Sequence, residues 1–421
     1  MTAQEARPAG QLGVVLRLGT AQTLAWASSY YLPALLAAPL AAELGMPVTQ
    51  VFGAFTLALV ISALIGPRAG RAIDRHGGRA VLRVTNGLFA IGLGALGLAQ
   101  TEWQVWAAWA VIGLAMGSGL YDAAFAALVR LYPVSARNAI TGITLIAGFA
   151  STVGWPLTQW GIGTLGWRGT CLGWATLHLV IGLPLHSLLP RGRVETAPPL
   201  QAAAPSDAGP SAPLSASHAT AGNGVAVVLA AVFAIAWFTS TAMAAHLPLL
   251  LLQAQGLSAS AALGVAMLVG PAQVAGRLLE FGFLRRAHPL LSSRFATAGH
   301  PIGVALLALG GPLGGWLFAV MHGMGNGILT IAKGTLPLVV FGAAGYGERQ
   351  GWLMAPARVS QAFAPVLFGL AMAHWGGHAL WLTAGLGLLA LALLQGLALR
   401  MAHDRRAASV AVTTPPPDAP V

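Results

Sequence analysis

Gly70-Arg71-Ala72-Ile73-Asp74-Arg75-His76-Gly77-Gly78-Arg79 separates two apolar runs, 49–69 and 80–100. Charge at this density is too costly to place in lipid. The segment therefore reads as a loop at a membrane surface, and the flanking runs read as helices that cross the bilayer.

The rest of the chain agrees. Of its 421 residues 56% are hydrophobic and only 8% charged, with a mean hydropathy of +0.73. A water-soluble protein would carry about a quarter charged residues. The formal charge of +11 would suit nucleic acid, but the basic residues form no stripe and instead punctuate apolar spans, so no nucleic acid partner is expected. A lone cysteine, Cys171, excludes a disulfide framework and a multi-thiolate metal site,. The first apolar run is too long for a secretory signal and reads as a helix. There is no phosphate loop, H-E-x-x-H pair or nucleophile elbow, so neither an enzyme nor a cofactor is expected, and no ATP-driven pump.

A membrane-crossing helix needs about 20 mostly apolar residues. Runs of that kind fall at 12–40, 49–69, 80–100, 104–129, 139–160 and 169–189, then at 223–252, 260–280, 295–311, 314–340, 351–373 and 379–400. The expected fold class is an all-α membrane protein of twelve transmembrane helices. Residues 1–189 form one six-helix bundle and 223–400 a second. Residues 190–222, rich in Pro, Ala and Ser without apolar periodicity, read as a disordered linker, and 401–421 as a disordered tail. With the N-terminus inside, the inner loops collect Arg68, Arg71, Arg130, Arg137, Arg286, Arg349 and Arg400, whereas the outer loops receive only Arg168. Both termini, the linker and the tail are accordingly expected in the cytoplasm.

The halves echo each other. Gly70-Arg71-Ala72-Ile73-Asp74 corresponds to Gly276-Arg277-Leu278-Leu279-Glu280, each after a Gly-Pro, and Leu32-Pro33 corresponds to Leu247-Pro248. Duplicated halves place a substrate site at their interface near the bilayer midplane.

The opening loop resembles the G-x-x-x-D-R-x-G-x-R signature that joins the second and third helices of the major facilitator superfamily. The resemblance implies two pseudo-symmetric six-helix bundles rocking about a shared site in a monomer. It implies close packing at Gly70, a conformational-lock acid at Asp74, and supporting roles for Arg75, Gly77 and Arg79. In that family the acid faces the start of the eleventh helix, here near Gly351, where a carboxylate meets the positive end of the helix dipole. Glu280 would take the mirrored role against Arg137. The chain departs from the drug/proton antiporters, which carry an arginine in the fourth helix where this sequence has Gly113. Their helix-5 motif is only loosely suggested by Gly148, Gly154, Trp155 and Pro156. Gly166-Trp167-Arg168 is common in the superfamily and says little about substrate.

Ionisable residues at membrane depth are functional candidates by default. Asp122, two turns and about 12 Å from Arg130, is the candidate for proton coupling, its bland alternative being a structural ion pair with Lys333 or Arg358. Those two bases reach a similar depth on the tenth and eleventh helices and are expected to contact substrate or neutralise Asp122. One acid against two bases favours an anionic substrate. His322, Asn326 and Thr330 recur at i, i+4 on one helix face and read as a polar lining. Gln22 and Trp26 on the first helix, and Gln361 on the eleventh, read as further substrate contacts. Tyr30 and Tyr31 read as an interfacial aromatic belt, and Arg17 as snorkelling to headgroups.

The function expected is a secondary carrier in a bacterial inner membrane, embedded in the lipid bilayer, that moves a small organic molecule, anionic or drug-like, by proton-coupled efflux. The alternatives are a carboxylate uptake symporter or substrate antiporter of the same fold and, from another class, a non-transporting membrane sensor. A channel is disfavoured because no charged ring or filter-like repeat is present.

Overall fold

A computed structural model of the chain describes residues 10–192, 222–309 and 311–413. The expected linker, 190–222, lies almost wholly outside the described residues. Among those residues every regular element is helical. The first half comprises α1 (Gln11–Ser28), α2 (Pro33–Leu44), α3 (Val48–His76), α4 (Gly78–Gly97), α5 (Glu102–Gly119), α6 (Tyr121–Leu131), α7 (Ala136–Ile146), α8 (Ala150–Leu177) and α9 (Leu183–Ser187). The second comprises α10 (Asn223–Gln255), α11 (Ala259–Met267), α12 (Val269–Gly282), α13 (Pro289–Leu309), α14 (Gly314–Phe341), α15 (Tyr346–Trp375) and α16 (Leu380–Thr413).

Eight stretches are long and apolar enough to cross a membrane, and two of them, Ala136–Ser187 and Tyr346–His403, are long enough to cross twice. They fold back at Gly166 and Gly376, whose φ values of 70° and 54° suit glycine,. The interrupted first span (α1 and α2) and α13 complete two six-span bundles. The last helix runs on to Thr413, where the sequence reading ended at 400 with a disordered tail. Alanine and arginine continue the helix, and Pro415 follows its end.

Among the spans that break where the sequence suggested continuous helices, two position the site. The first is interrupted between Ser28 and Pro33. Proline restricts the residue before it and lacks the N–H a continuing helix would use, and the hydroxyls of Ser28 and Ser29 bond back to the carbonyls of Leu24 (2.8 Å) and Ala25 (2.6 Å),. The fourth breaks at Leu120, which is extended (φ −79°, ψ −169°), so that Asp122 stands in the first turn of α6.

The first half packs one apolar core around Trp109, Phe89, Phe125 and Leu18, which also takes in Tyr346 and Ala362 of the second half. The second half holds two cores, one around Met243, Phe318 and Phe368, the other around Leu229, Leu336 and Leu394. Between the halves α3 runs along α15, and α7 meets α12 and α14. Along the first seam the residues are small: a Cβ on Gly70 would collide with the Gly347 carbonyl, and one on Gly351 with Pro67. Small residues let backbones approach where lipid offers no hydrophobic drive.

On the face opposite the arginine-rich loops, Glu43 accepts from Trp167 Nε1 (2.5 Å) and Arg168 Nε (2.8 Å). Arg168 also donates to the Gly97 and Ala99 carbonyls at the end of α4 (3.1 and 2.5 Å). The Gly-Trp-Arg segment is thus a clamp joining three spans. The Arg168 bond, then that of Trp167, holds the Glu43 carboxyl below its ordinary 4.5. A depressed carboxyl stabilises the fold above its ordinary value and loses that contribution as pH falls through the folded value. Glu43→Gln should therefore lower Tm at pH 7, with the gap to the parent closing below about pH 4.5, measured by thermal unfolding in detergent.

Candidate functional site

Where the halves meet, a small cavity is lined by Trp26, Tyr30, Ser62, Tyr121, Asp122, Trp237, Lys333, Met354, Arg358 and Gln361, together with Leu59, Met116 and Leu120. It leaves about 20 Å³ open to the centre of a water molecule, room for about one water. The cavity is closed down, and a solute would need the halves to part.

Its charges are held by the helix breaks. Asp122 lies at the positive end of α6 and takes Arg358 Nη2 at 2.5 Å, a bond that crosses between the halves. Arg358 also donates to Ser62 on α3. Gln350 Nε2 approaches the second Asp122 oxygen at 3.4 Å and donates to the Lys333 carbonyl at 3.1 Å. Lys333 has no carboxylate partner among the described residues. Its ammonium sits 4.4 Å from the Trp237 ring centre and 5.2 Å from that of Tyr121, a cation–π cradle that leaves the charge available. Asp122, Lys333 and Arg358 are each at least nine-tenths buried. Removing one partner from such a pair costs about 3–5 kcal/mol.

The wall also carries unanswered polar atoms. Trp26 Nε1 and Gln361 Nε2 are buried donors without a partner among the described residues, and a buried donor left unpaired calls for an explanation. Both face a cavity whose only carboxylate among the described residues, Asp122, is already taken.

Of the residues singled out in the sequence, Asp122, Lys333, Arg358, Trp26 and Gln361 converge here. Gln22 does not: its amide donates to the Gly119 carbonyl (2.6 Å), which the break at Leu120 leaves without a helical partner. His322 turns into the second bundle, where its Nδ1 meets that of His300 at 3.0 Å, and His300 Nε2 meets Thr383. Asn326 donates to Ser240 Oγ (2.7 Å) and lines two neighbouring cavities rather than the central one. Arg17 donates to the Leu188 carbonyl (3.0 Å). Ser62, Tyr121 and Tyr30 were not legible as site residues. Tyr30 in particular is no belt residue: the break after Ser28 swings it over the cavity, beside Gln361 and Thr241.

Two sets of contacts join the halves on the arginine-rich face. Asp74 accepts from the backbone N–H groups of Gly347 (3.0 Å) and Glu348 (2.9 Å), the unpaired donors of the first turn of α15,. Arg71 reaches the Glu348 carboxylate at 2.5 Å, and Arg130 donates to the Asp74 and Arg75 carbonyls, closing the end of α3. Gly77, at φ 89°, lets the chain turn into α4, Arg79 donates to the Leu189 carbonyl (3.2 Å), and the Arg75 side chain is exposed. On the mirrored seam Glu280 takes Arg137 at 3.1 Å, and Arg137 also caps the carbonyls of Leu284 and Ala287.

The family model described as Major Facilitator Superfamily matches residues 18–345. An uncharacterised 38 kDa protein in the 23S RNA operon of Thermoproteus tenax is 26% identical over 318 residues, 69% of this chain and 84% of that protein. Among solved structures the human organic anion transporter MFSD10 aligns with a TM-score of 0.63 and 17% identity, over 92% of this chain and all of that one. The proton:xylose symporter XylE, bound to 6-bromo-6-deoxy-D-glucose, gives 0.67 and 14% over 92% and 96%. The transporter FucP, in its outward conformation, gives 0.67 and 15% over 90% and 97%. At these identities the structural likeness establishes the fold.

Asp74→Asn keeps one acceptor but loses the charge facing α15, worth about 1 kcal/mol. A cysteine replacing Ala126, buried beside Gly347, should be alkylated slowly in a Cys171→Ser background and several-fold faster once Asp74→Asn is added. An unchanged alkylation rate would show that the cap does not hold this face shut.

Proposed function

The chain belongs to the major facilitator superfamily, and from that premise we propose that it is a secondary carrier of a small organic anion, coupled to protons through Asp122. The observation that carries this reading is the imbalance in the cavity wall. Lys333, Arg358, Trp26 Nε1 and Gln361 Nε2 all offer positive charge or N–H donors, whereas Asp122 is the one carboxylate there and is bound to Arg358. A solute with acceptor oxygens and negative charge satisfies that wall; a cationic drug does not.

The ion pair also supports a direction of coupling. While Asp122 is ionised it competes with the solute for Arg358. Protonating Asp122 releases the guanidinium, so proton and anion bind together rather than in exchange. That logic is cotransport, and with an inward proton gradient it drives uptake. Efflux by antiport would need proton and solute to exclude each other. The carboxylate symporter is therefore the reading adopted over proton-coupled efflux.

Alternating access then follows from the seams. The arginine-rich face, taken as cytoplasmic by the positive-inside rule, is shut by Asp74 and Glu280. Opening it requires those bonds to be exchanged for contacts on the other face. The conformational-lock role belongs to Gly70, Asp74 and Glu280, and Arg75, Gly77 and Arg79 shape the loop that carries Asp74. In this reading the carrier works as a monomer in a bacterial inner membrane.

In proteoliposomes, inward-directed proton gradients should drive accumulation of labelled carboxylates from a panel, and xylose should not accumulate. Asp122→Asn should keep substrate counterflow and lose pH-driven accumulation at least tenfold, while Arg358→Gln should lose both. Survival of pH-driven accumulation in Asp122→Asn would overturn the coupling role, and binding without flux would point to a sensor.

A further inference from the structure

Arg277 is a charge that no carboxylate among the described residues answers. It stands on α12, one turn before Glu280, and is 7% exposed. Its Nε is sealed from solvent and has no hydrogen-bond partner among the described residues. Among the described residues no carboxylate pairs with it: Glu280 is held by Arg137, Asp122 by Arg358 and Glu348 by Arg71. A guanidinium cannot shed its proton to escape burial, and an ionised group at membrane depth is kept only for a partner or a path. Among the described residues Arg277 has no such partner.

The side chain reaches across to the first half. Its Nη1 lies against Gly148, where a Cβ would collide with it, at the short 3₁₀ stretch Ala147–Phe149 that interrupts the fifth span. Arg277 does not itself line the central cavity, but its charge is felt at Tyr121 and Lys333 in the wall and at Tyr31. Tyr31 packs on Trp26, with ring centres 6.2 Å apart, and Trp26 is itself part of that wall. The repeat partner of Arg277 in the first half, Arg71, is at the surface and paired with Glu348; duplication alone therefore does not account for a buried, unpaired arginine.

We propose that Arg277 anchors the second acidic group of a dianionic substrate whose first carboxylate is held by Lys333 and Arg358. The substrate class is then a short dicarboxylate, and Arg277 sets the preference for it over a monocarboxylate. The charge balance agrees: Arg277, Lys333 and Arg358 against Asp122 leave a surplus that a monoanion only partly removes and a dianion removes further. This rests on the anion-carrier reading above.

Binding of succinate and butyrate, which share chain length and differ by one carboxylate, to the purified full chain separates the possibilities. Thermal shift at matched ionic strength is the readout, because a ligand stabilises the folded state by an amount that grows with the logarithm of its affinity. The parent should bind succinate at least tenfold more tightly than butyrate. Arg277→Gln should abolish that ratio and leave butyrate affinity within about twofold. Its ligand-free Tm should not fall, because an unpaired buried charge has been removed. Arg277→Lys should retain part of the ratio. A succinate-to-butyrate ratio unchanged by Arg277→Gln overturns the proposal, as does a sharp fall of ligand-free Tm in both variants, which would mark a structural role. Equal binding of the two acids by the parent refutes the dianion alone, whereas binding of neither refutes the anion-carrier reading with it.

Discussion

The bond between Asp122 on α6 and Arg358 on α15 joins the two bundles through their shared cavity. Neither charge can be left alone at that depth, so the protein needs the pair intact or replaced at every stage of a cycle. Its placement depends on the break at Leu120, which opens a new helix two residues before the carboxylate. The break leaves the Gly119 carbonyl free, and Gln22 answers it from α1. Irregular backbone at membrane depth is tolerated only where it is buried in protein or lines a cavity, and this one does both. Lys333 is then the cation in excess, resting on Trp237 and Tyr121 rather than on an acid.

The contacts that join the halves on the arginine-rich face use related residues differently. Asp74 caps a helix start, satisfying the Gly347 and Glu348 N–H groups. Glu280, its counterpart in the repeat, instead holds the Arg137 guanidinium, which in turn caps carbonyls after α12. Both interactions are worth little beside the whole fold, which suits a switch, since a conformational equilibrium of a few kcal/mol is what a ligand can bias. Gly70 and Gly351 add a steric condition, because side chains there would hold α3 and α15 apart.

Much of this was legible in the chain itself, and the rest was hidden for identifiable reasons. The loop at 70–79, the apolar run lengths and the internal repeat carry the fold because charge and length are strict conditions in lipid. Asp122, Lys333 and Arg358 stood out because burial of charge is rare. The breaks at Ser29–Leu32 and Leu120 were invisible to hydropathy, which sees composition and not φ and ψ. Tyr30 was therefore misread as interfacial, and Gln22 as a ligand contact. His322 and Asn326 do share a helix face, but which way that face turns is decided by the packing of the second bundle. Arg277 was read only as an echo of Arg71, and its burial is a property of α12 meeting the fifth span.

Distances between spin labels report the central claim most directly. Paired labels replacing His76 and His288 span the arginine-rich face, and labels replacing Gln50 and Ser258 span the opposite one. When a transported anion is added at low pH, the account predicts that the first distance lengthens in part of the population while the second shortens. Two distances that change in the same direction, or neither changing while transport proceeds, would contradict rocking about the Asp122–Arg358 cavity.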